Sequence, residues 1–405
     1  MTKRGKELNS NFFATSLNVD YLPEGDKYIF APGKPKHRFN IIGAGMIGHE
    51  HIKVTMLEGR ATIHGIYDTD SFSMEKTRTM FEALFPGHSL VEYDSLEAAC
   101  NDPQVDGLVI CTPNYTHIDI LRVAVLSGKH ILLEKPMATT LHDAYEILEI
   151  SRNYQAVLQI GLQYRYKAIY FEAIHETLQR KAVGDVKTIS ILEHRLPFLD
   201  KIKQWNKFSK YSGGTLVEKC CHYFDLMNLF AQAKPVHVYA TGSMAVNFVE
   251  FEYNQEKSDI IDNACVTVVY ENGIRGSFNL CMFSPMFYEE IIICGDEGRL
   301  KAYENEDYLP VDRPKTHLEI LCGESKPSKV STPCYPIDIQ HSGHNGATYY
   351  EHKYFIDNIE GKRAETATVD EGFWSIIVGV AAEQSIKTGQ IIYIDQLLKE
   401  NDIIL

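Results

Sequence analysis

Two groups of residues in this sequence have the types and spacing for chemistry. Ile41 to Gly48 read IIGAGMIG, so Gly43, Gly45 and Gly48 fall in the order GxGxxG, behind the apolar run FNII and ahead of a helical pattern. In such a turn the first glycine permits the sharp bend, the second lets backbone approach a pyrophosphate, and the third lets helix and strand pack closely. Amides at the start of that helix, around Met46 and Ile47, then face the phosphate charge. Asp68 ends the next apolar run, ATIHGIYD, about 20 residues further on, where a carboxylate accepts hydrogen bonds from ribose hydroxyls and repels the extra phosphate of NADP. A bare GxGxxG also arises from packing alone; its place in this unit is what points to NAD. The second group is GGTLVEKCCHYFD, Gly213 to Asp225. A separation of four sets Glu218 beside His222 on one helical face, and Cys221 beside Asp225. An acid beside a histidine can move a proton; taken alone, the same spacing reads at least as well as a helix-face ion pair next to a core histidine.

The elements that must position these residues follow from apolar periodicity. From Arg38 onward, strand-like runs (FNII, ATIHGIYD, DGLVICTP, HILLEKP) alternate with helical stretches. That rhythm implies a parallel sheet with crossover helices, an α/β Rossmann dinucleotide-binding domain over residues 38–158. Beyond it come longer alternating runs, VKTISILEHRL, ACVTVVYENGIRGSFNLCMF and EEIIICGDEGRLKAYE, with glycine turns between them. They predict a substrate-binding and oligomerisation domain of the α+β kind over residues 159–405, built on a large, mostly antiparallel sheet. Residues 310–346 read as loop, and residues 347–388 as helix broken near Gly361. Residues 1–37, punctuated by Pro23, Gly25, Pro32, Gly33 and Pro35, read as an irregular extension serving as a surface clasp or subunit contact.

A chain of 405 residues with 44% hydrophobic content can bury two sizeable cores. Its 40 basic and 54 acidic residues give a net charge of -14, which disfavours nucleic acid and anionic membrane as partners and leaves a small molecule. No apolar run approaches the roughly 20 residues of a membrane span, and the polar start MTKRGKELNS lacks a secretory core. Nine cysteines at irregular spacing form no disulfide framework, so a cytoplasmic location is expected. No HExxH or clustered Cys/His pattern occurs, and Cys220, Cys221 and His222 lie too close along a helix to ligate one ion together; no metal is expected.

Two further segments carry a resemblance. CTPNYTH spans Cys111 to His117 and LLEKPMA spans Leu132 to Ala138, with EKP one strand beyond TPNxxH. With these motifs the chain resembles, from Arg38 to its C-terminus, the family of glucose-fructose oxidoreductase, inositol dehydrogenase and MocA (Gfo/Idh/MocA). The resemblance implies that Lys135 lies between nicotinamide and substrate and hydrogen-bonds the reacting hydroxyl. It also implies that Glu134 and Pro136 shape the cofactor-facing turn, the proline through a cis peptide, and that Thr112, Pro113, Asn114 and His117 line the nicotinamide side. A lysine packed against cofactor and sheet is expected to have a lowered pKa. Gly213 to Asp225 aligns with the family's GGxxxDxGxHxxD, which implies that His222 is the general base while Lys135 orients the oxygen. Glu218 stands for the usual aspartate, one methylene longer, and Lys219 with Cys220 departs from the pattern by adding a positive charge.

In GLQYRY, Gln163, Tyr164 and Arg165 follow what reads as the first strand of the second domain, as in the family, with Gln163 toward the cofactor and Tyr164 and Arg165 toward the substrate. Arg165, Lys219 and Arg195 make a candidate cluster for a carboxylated, phosphorylated or sulfonated sugar, or else belong to structural salt bridges. SGHNGATYYEH, around His344, resembles family loops that close over the sugar. The expected activity is hydride transfer between NAD and a CH–OH group of a carbohydrate or polyol. The alternative is an oxidoreductive glycosidase that uses bound NAD transiently, through oxidation, elimination, water addition and reduction, on an anionic sugar such as a sulfonated glycoside. A non-catalytic dinucleotide sensor would have no use for Lys135 and His222 together. Family members pair through the open face of the large sheet, which implies a homodimer or homotetramer.

Overall fold

The structure is a computed structural model that describes residues 34–306, 314–324 and 327–405, so the extension read at residues 1–37 falls almost wholly outside the described residues. Six parallel strands form the first sheet: β1 (His37–Ile42), β2 (Ala61–Tyr67), β3 (Val91–Glu92), β4 (Gly107–Ile110), β5 (His130–Glu134) and β6 (Leu158–Gly161). Their order is β3-β2-β1-β4-β5-β6. The FNII run of β1 is fully buried, as a strand covered on both faces must be. Because β1 lies between β2 and β4, the chain leaves β1 and β4 in opposite directions and opens a crevice at their carboxyl ends. Leu158–Gly161 pairs with β5, so the strand read as opening the second domain completes the first sheet instead.

The second sheet contains β7 (Val186–His194), β8 (Pro235–Ser243), β11 (Asn263–Tyr270), β12 (Arg275–Cys281), β13 (Phe287–Gly295), β14 (Arg299–Glu306), β15 (Lys315–Leu321), β16 (Lys329–Ser331) and β17 (Ile392–Tyr393). A separate short hairpin joins β9 (Glu252–Tyr253) and β10 (Glu256–Lys257). The order is β16-β15-β14-β13-β7-β12-β11-β8-β17, antiparallel throughout except where β7 meets β12. Alternation sends Val238, Ala240, Val266, Val268, Phe278 and Ile291 into a core with the helices Cys221–Ala231 and Val369–Thr388, while Tyr239, Cys265, Thr267 and Ser277 face out. A Thr368/Glu371 capping box starts the second of these helices.

The stretch 310–346 is not simply loop. It holds β15, β16 and the short helix Ile337–Gln340, and in β15 Leu318 and Ile320 point inward by simple alternation. Short edge strands among prolines and Gly323 carry too little periodicity to stand out in the sequence. The helices Ala347–Ile359 and Val369–Thr388 flank the expected break at Gly361. No helix of the described residues is long and apolar enough to cross a membrane.

Candidate active site

The glycine turn after β1 is built by steric necessity. Gly43 takes φ +106°, and a Cβ there would fall 2.7 Å from the Cys111 carbonyl. A Cβ on Gly48 would fall 2.2 Å from the Gly43 carbonyl oxygen. Gly45 differs: nothing lies within 4 Å of its virtual Cβ, and the helix Met46–Glu58 that follows has no side-chain cap. Open space therefore faces uncapped amides, the arrangement that accepts a phosphate. Asp68 is held beside this turn, accepting from the backbone N–H of Ala44 at 2.8 Å and of Asp70 at 2.9 Å.

Across the crevice, the turn after β4 carries Thr112, Pro113 and Asn114. Thr116 Oγ1 donates to the Pro113 carbonyl at 2.7 Å and lies 2.8 Å from Thr112 Oγ1. Asn114 is buried, and its Nδ2 has no partner among the described residues; the same holds for Gln163 Oε1. His117 is placed differently from expectation. Fully buried, it spans from the Pro136 carbonyl (Nδ1, 2.9 Å) to the Thr112 carbonyl (Nε2, 3.1 Å), so its ring joins the turns after β4 and β5 rather than reaching into the crevice. Burial lowers its pKa, against the pull of these two carbonyls.

The turn after β5 holds Glu134, Lys135 and Pro136, with the Lys135–Pro136 peptide cis. Glu134 points inward, accepting from its own Lys135 N–H at 2.9 Å and from His51 Nε2 at 3.0 Å. Gly161 must be small here, since a Cβ would lie 3.0 Å from Glu134 Cα. Lys135 Nζ donates to the Glu218 carbonyl at 3.2 Å. Its pKa is raised, not lowered: burial opposes the charge, but Glu218, Cys221 and Glu134 around it more than offset burial.

The Gly213–Asp225 segment does not form one helix. A short helix Thr215–Glu218 stops, Lys219 and Cys220 intervene, and a new helix runs Cys221–Ala231, so Glu218 and His222 do not share a continuous face. Gly213 (φ +81°) lets the entry turn approach Thr139, where a Cβ would fall 2.8 Å from its carbonyl. His222 is buried, stacked on Tyr164 at 4.0 Å between ring centroids and 10° between planes, and its Nδ1 has no partner among the described residues. Burial first, then the charges of Lys135 and Lys219, hold its pKa well below 6.5. Glu218 is pushed down to about 2: burial opposes ionisation, while Lys135, Lys201 and Arg195 overcome it.

The proposed cationic cluster separates into different pairs. Arg165 grips Asp225 through Nε at 2.6 Å and Nη2 at 2.5 Å and reaches Glu371 at 3.0 Å, a buried ion pair of the structural kind that the sequence left open beside a substrate role. Lys219 Nζ donates to Tyr164 Oη at 2.5 Å and lies 3.2 Å from Glu193, which Arg195 also approaches at 3.6 Å. His344 Nδ1 meets Glu50 Oε1 at 2.7 Å, with its ring 6.3 Å from that of Tyr164.

Three groups escaped the sequence reading. Beneath Tyr164, Lys167 bridges Glu289 at 2.8 Å and Glu304 at 2.7 Å in the core. A strap, Leu196–Lys207, crosses the crevice: Lys201 meets Glu218 at 3.3 Å and lies over Trp205, and Trp205 meets Tyr115 edge-on at 6.4 Å. Asp70 is held below the usual carboxylate range chiefly by Ser73, with a smaller pull from Lys203 on the strap. The third group is a buried cluster of His51, Glu134 and Glu351. No spacing rule links residues 51, 134 and 351, and the strap lacks apolar periodicity.

Comparisons with known proteins agree with this architecture. The family model described as "Oxidoreductase family, NAD-binding Rossmann fold" matches residues 37–162, and its "Oxidoreductase family, C-terminal alpha/beta domain" matches residues 175–395. Myo-inositol 2-dehydrogenase of Thermotoga maritima is 22% identical over 373 residues, 89% of this chain and 99% of its own. The structure of levoglucosan dehydrogenase with NADH and levoglucosan superposes with a TM-score of 0.74 at 16% identity, over 88% of this chain and 99% of its own. Aldose-aldose oxidoreductase from Caulobacter crescentus, complexed with glycerol, gives 0.70 at 19% identity, over 89% and 100%. With both family domains matched in order across a parallel sheet and a large mixed one, the chain belongs to the Gfo/Idh/MocA oxidoreductases and takes NAD as its cofactor.

Proposed function

We propose that this enzyme transfers hydride between NAD and a CH–OH carbon of a sugar or polyol, with Lys135 and His222 acting on one oxygen. The observation that carries the reading is the opposite tuning of these neighbours: Lys135 is held charged, while His222 is held neutral with Nδ1 unpartnered. A neutral imidazole can accept the hydroxyl proton, and an ammonium can donate to the same oxygen as charge develops on it. Glu218, ionised and bonded to Lys201, orients a neighbouring hydroxyl. NAD, when bound, supplies the hydride acceptor. The Gly43–Gly48 turn would hold its phosphates, Asp68 the adenosine ribose, and Asn114 with Gln163 the nicotinamide side, where their orphaned amide atoms await partners. Asp68 favours NAD over NADP, since the 2′-phosphate would meet a carboxylate already fixed by two backbone amides.

Inositol, levoglucosan and aldose named for relatives and neighbours favour a polyhydroxylated substrate. Lys219, Arg195 and Lys201 gather with Lys135 around Glu193 and Glu218 in an otherwise acidic chain, which suits an anionic sugar. The strap over the crevice favours a second reading, a redox-neutral glycosidase that keeps its cofactor between oxidation and re-reduction of the ring. Incubation with NAD and a panel of sugars, polyols, sugar acids and glycosides tests both. Net NADH supports the dehydrogenase and cleaved aglycone without NADH supports the glycosidase. Neither product from any member removes the proposal.

A further inference from the structure

Behind the Lys135 turn lies a buried acid that the hydride-transfer scheme does not use. Glu351 sits in the middle of the helix Ala347–Ile359, which lies against the first helix of the Rossmann domain. It is fully buried, and neither carboxylate oxygen has a hydrogen-bond partner among the described residues. Ligand atoms of Glu351, Glu134 and His51 all lie within 4.8 Å of one another. Two carboxyl groups so close, both out of water, cannot both be ionised without a cation between them.

The surroundings assign the charge to Glu134. It has two donors, His51 Nε2 at 3.0 Å and the Lys135 N–H at 2.9 Å, and the positive charge of Lys135 acts on it as well. His51 is itself fixed from behind, with Nδ1 2.7 Å from His352 Nε2 and His352 Nδ1 3.2 Å from Thr55 Oγ1. Glu351 has no such support. Glu134 on β5 and Glu50 on the first helix both add negative potential to a site that burial already makes hostile to charge, and no basic group among the described residues offsets them. Nearby His344 is engaged by Glu50, and His352 is held neutral by burial.

We propose that Glu351 is kept as the neutral acid beside an ionised Glu134, so that it acts as a positioning residue for Lys135. Glu134 then carries the one negative charge of the two acids, fixed by His51 and by the Lys135 amide, and this single charge helps to keep Lys135 an ammonium. The inference rests on the role given to Lys135, but its central claim concerns a proton that is detectable without turnover. Glutamine reproduces both the shape and the donor of a protonated glutamate; a cation site would require the anion.

Infrared spectroscopy near neutral pH is expected to show a protonated-carboxyl C=O band in the wild type that disappears in Glu351→Gln. Thermal unfolding adds a second readout. A carboxyl whose folded pKa is raised contributes stability that is full below its unfolded pKa and is lost as pH rises toward the folded value. Wild-type stability should therefore fall more steeply above about pH 5 than that of Glu351→Gln. In turnover, Glu351→Ala should lower kcat at least tenfold with KM little changed, and Glu351→Gln should restore it to within about threefold of wild type. Should the alanine variant fail to fold, the glutamine variant and the infrared band still decide. One equivalent of tightly bound divalent metal in purified wild type, lost in Glu351→Gln, would overturn the proposal in favour of a cation; so would absence of the band. If instead the band is present while Lys135→Ala remains active, the protonated Glu351 stands and the role of Lys135 falls.

Discussion

Replacing Lys135 with methionine removes a charge at nearly constant length and separates two effects. Its Nζ stands 3.2 Å from the Glu218 carbonyl, and in the proposed reaction it also donates to an oxygen on the reacting carbon. Losing one preorganised donor at a developing oxyanion costs roughly 3–4 kcal/mol, on the order of 100- to 1,000-fold in kcat. The second effect is on His222. Its pKa is depressed by burial first and by Lys135 next, so removing that cation must raise it. Protonated His222 cannot accept a proton, and the acid limb of kcat/KM for alcohol oxidation should therefore move to higher pH in the variant. Steady-state rates from about pH 5 to about pH 9 measure both effects, and NAD titration by fluorescence serves as control. NAD affinity should change little, because the glycine turn and Asp68 lie on the other side of the crevice. A rate loss under about tenfold with an unmoved acid limb would refute the assignment of both residues.

Other consequences follow from the geometry. Gly45→Ala should fold normally, because its Cβ meets nothing within 4 Å, yet lose at least tenfold in NAD affinity by intruding on the phosphate space; Gly48→Ala, 2.2 Å from a carbonyl oxygen, should lower the melting temperature instead. Asp225→Asn leaves Arg165 buried without its bidentate partner and should cost about 3–5 kcal/mol in chemical denaturation. Substrate KM should barely move, whereas a large KM increase would return Arg165 to the substrate site. The outward face of the second sheet, with Tyr239, Tyr393 and Val236 exposed, is expected to be covered by a second copy, so sedimentation at micromolar concentration should show a dimer or tetramer.

What the sequence revealed, and what it hid, divides along local and non-local lines. The glycine turn, Asp68 and the Lys135–Pro136 turn each occupy one strand end, and a short window contains both their residues and their context. The alternation of β11 and β13 made the second sheet legible in the same way. Helical spacing failed at Glu218 and His222, because i to i+4 geometry presumes a continuous helix and the chain interrupts it at Lys219 and Cys220. Arg165 stayed open between two readings for another reason: a cation near a site motif looks available until its partner, 60 residues away, is in view. The strap and the His51–Glu134–Glu351 cluster depend wholly on contacts between distant segments.

These distant contacts explain how one pocket keeps an acid and a base at neutral pH. Burial works against the charge of Lys135, and Glu218, Cys221 and Glu134 around it more than offset that. His222 would have an ordinary imidazole pKa if it were exposed, and burial with Lys135, Lys219 and Lys167 around it keeps the proton off. Each member of the pair is thus set by charges of opposite sign to those that set the other, and Lys135, held charged by the acids, is the first of the cations that act on His222. The ammonium proposed to stabilise the substrate oxygen also keeps the basic form of His222 populated, so a change in Lys135 ionisation cannot leave His222 unaffected. The unusual Lys219 also fits this scheme electrostatically: bonded to Tyr164 and beside Glu193, it adds positive potential to the ring that stacks on His222. Lys219→Met should then raise the acid limb of kcat/KM while leaving KM for a neutral sugar unchanged. A KM increase confined to anionic substrates would instead assign Lys219 to substrate binding.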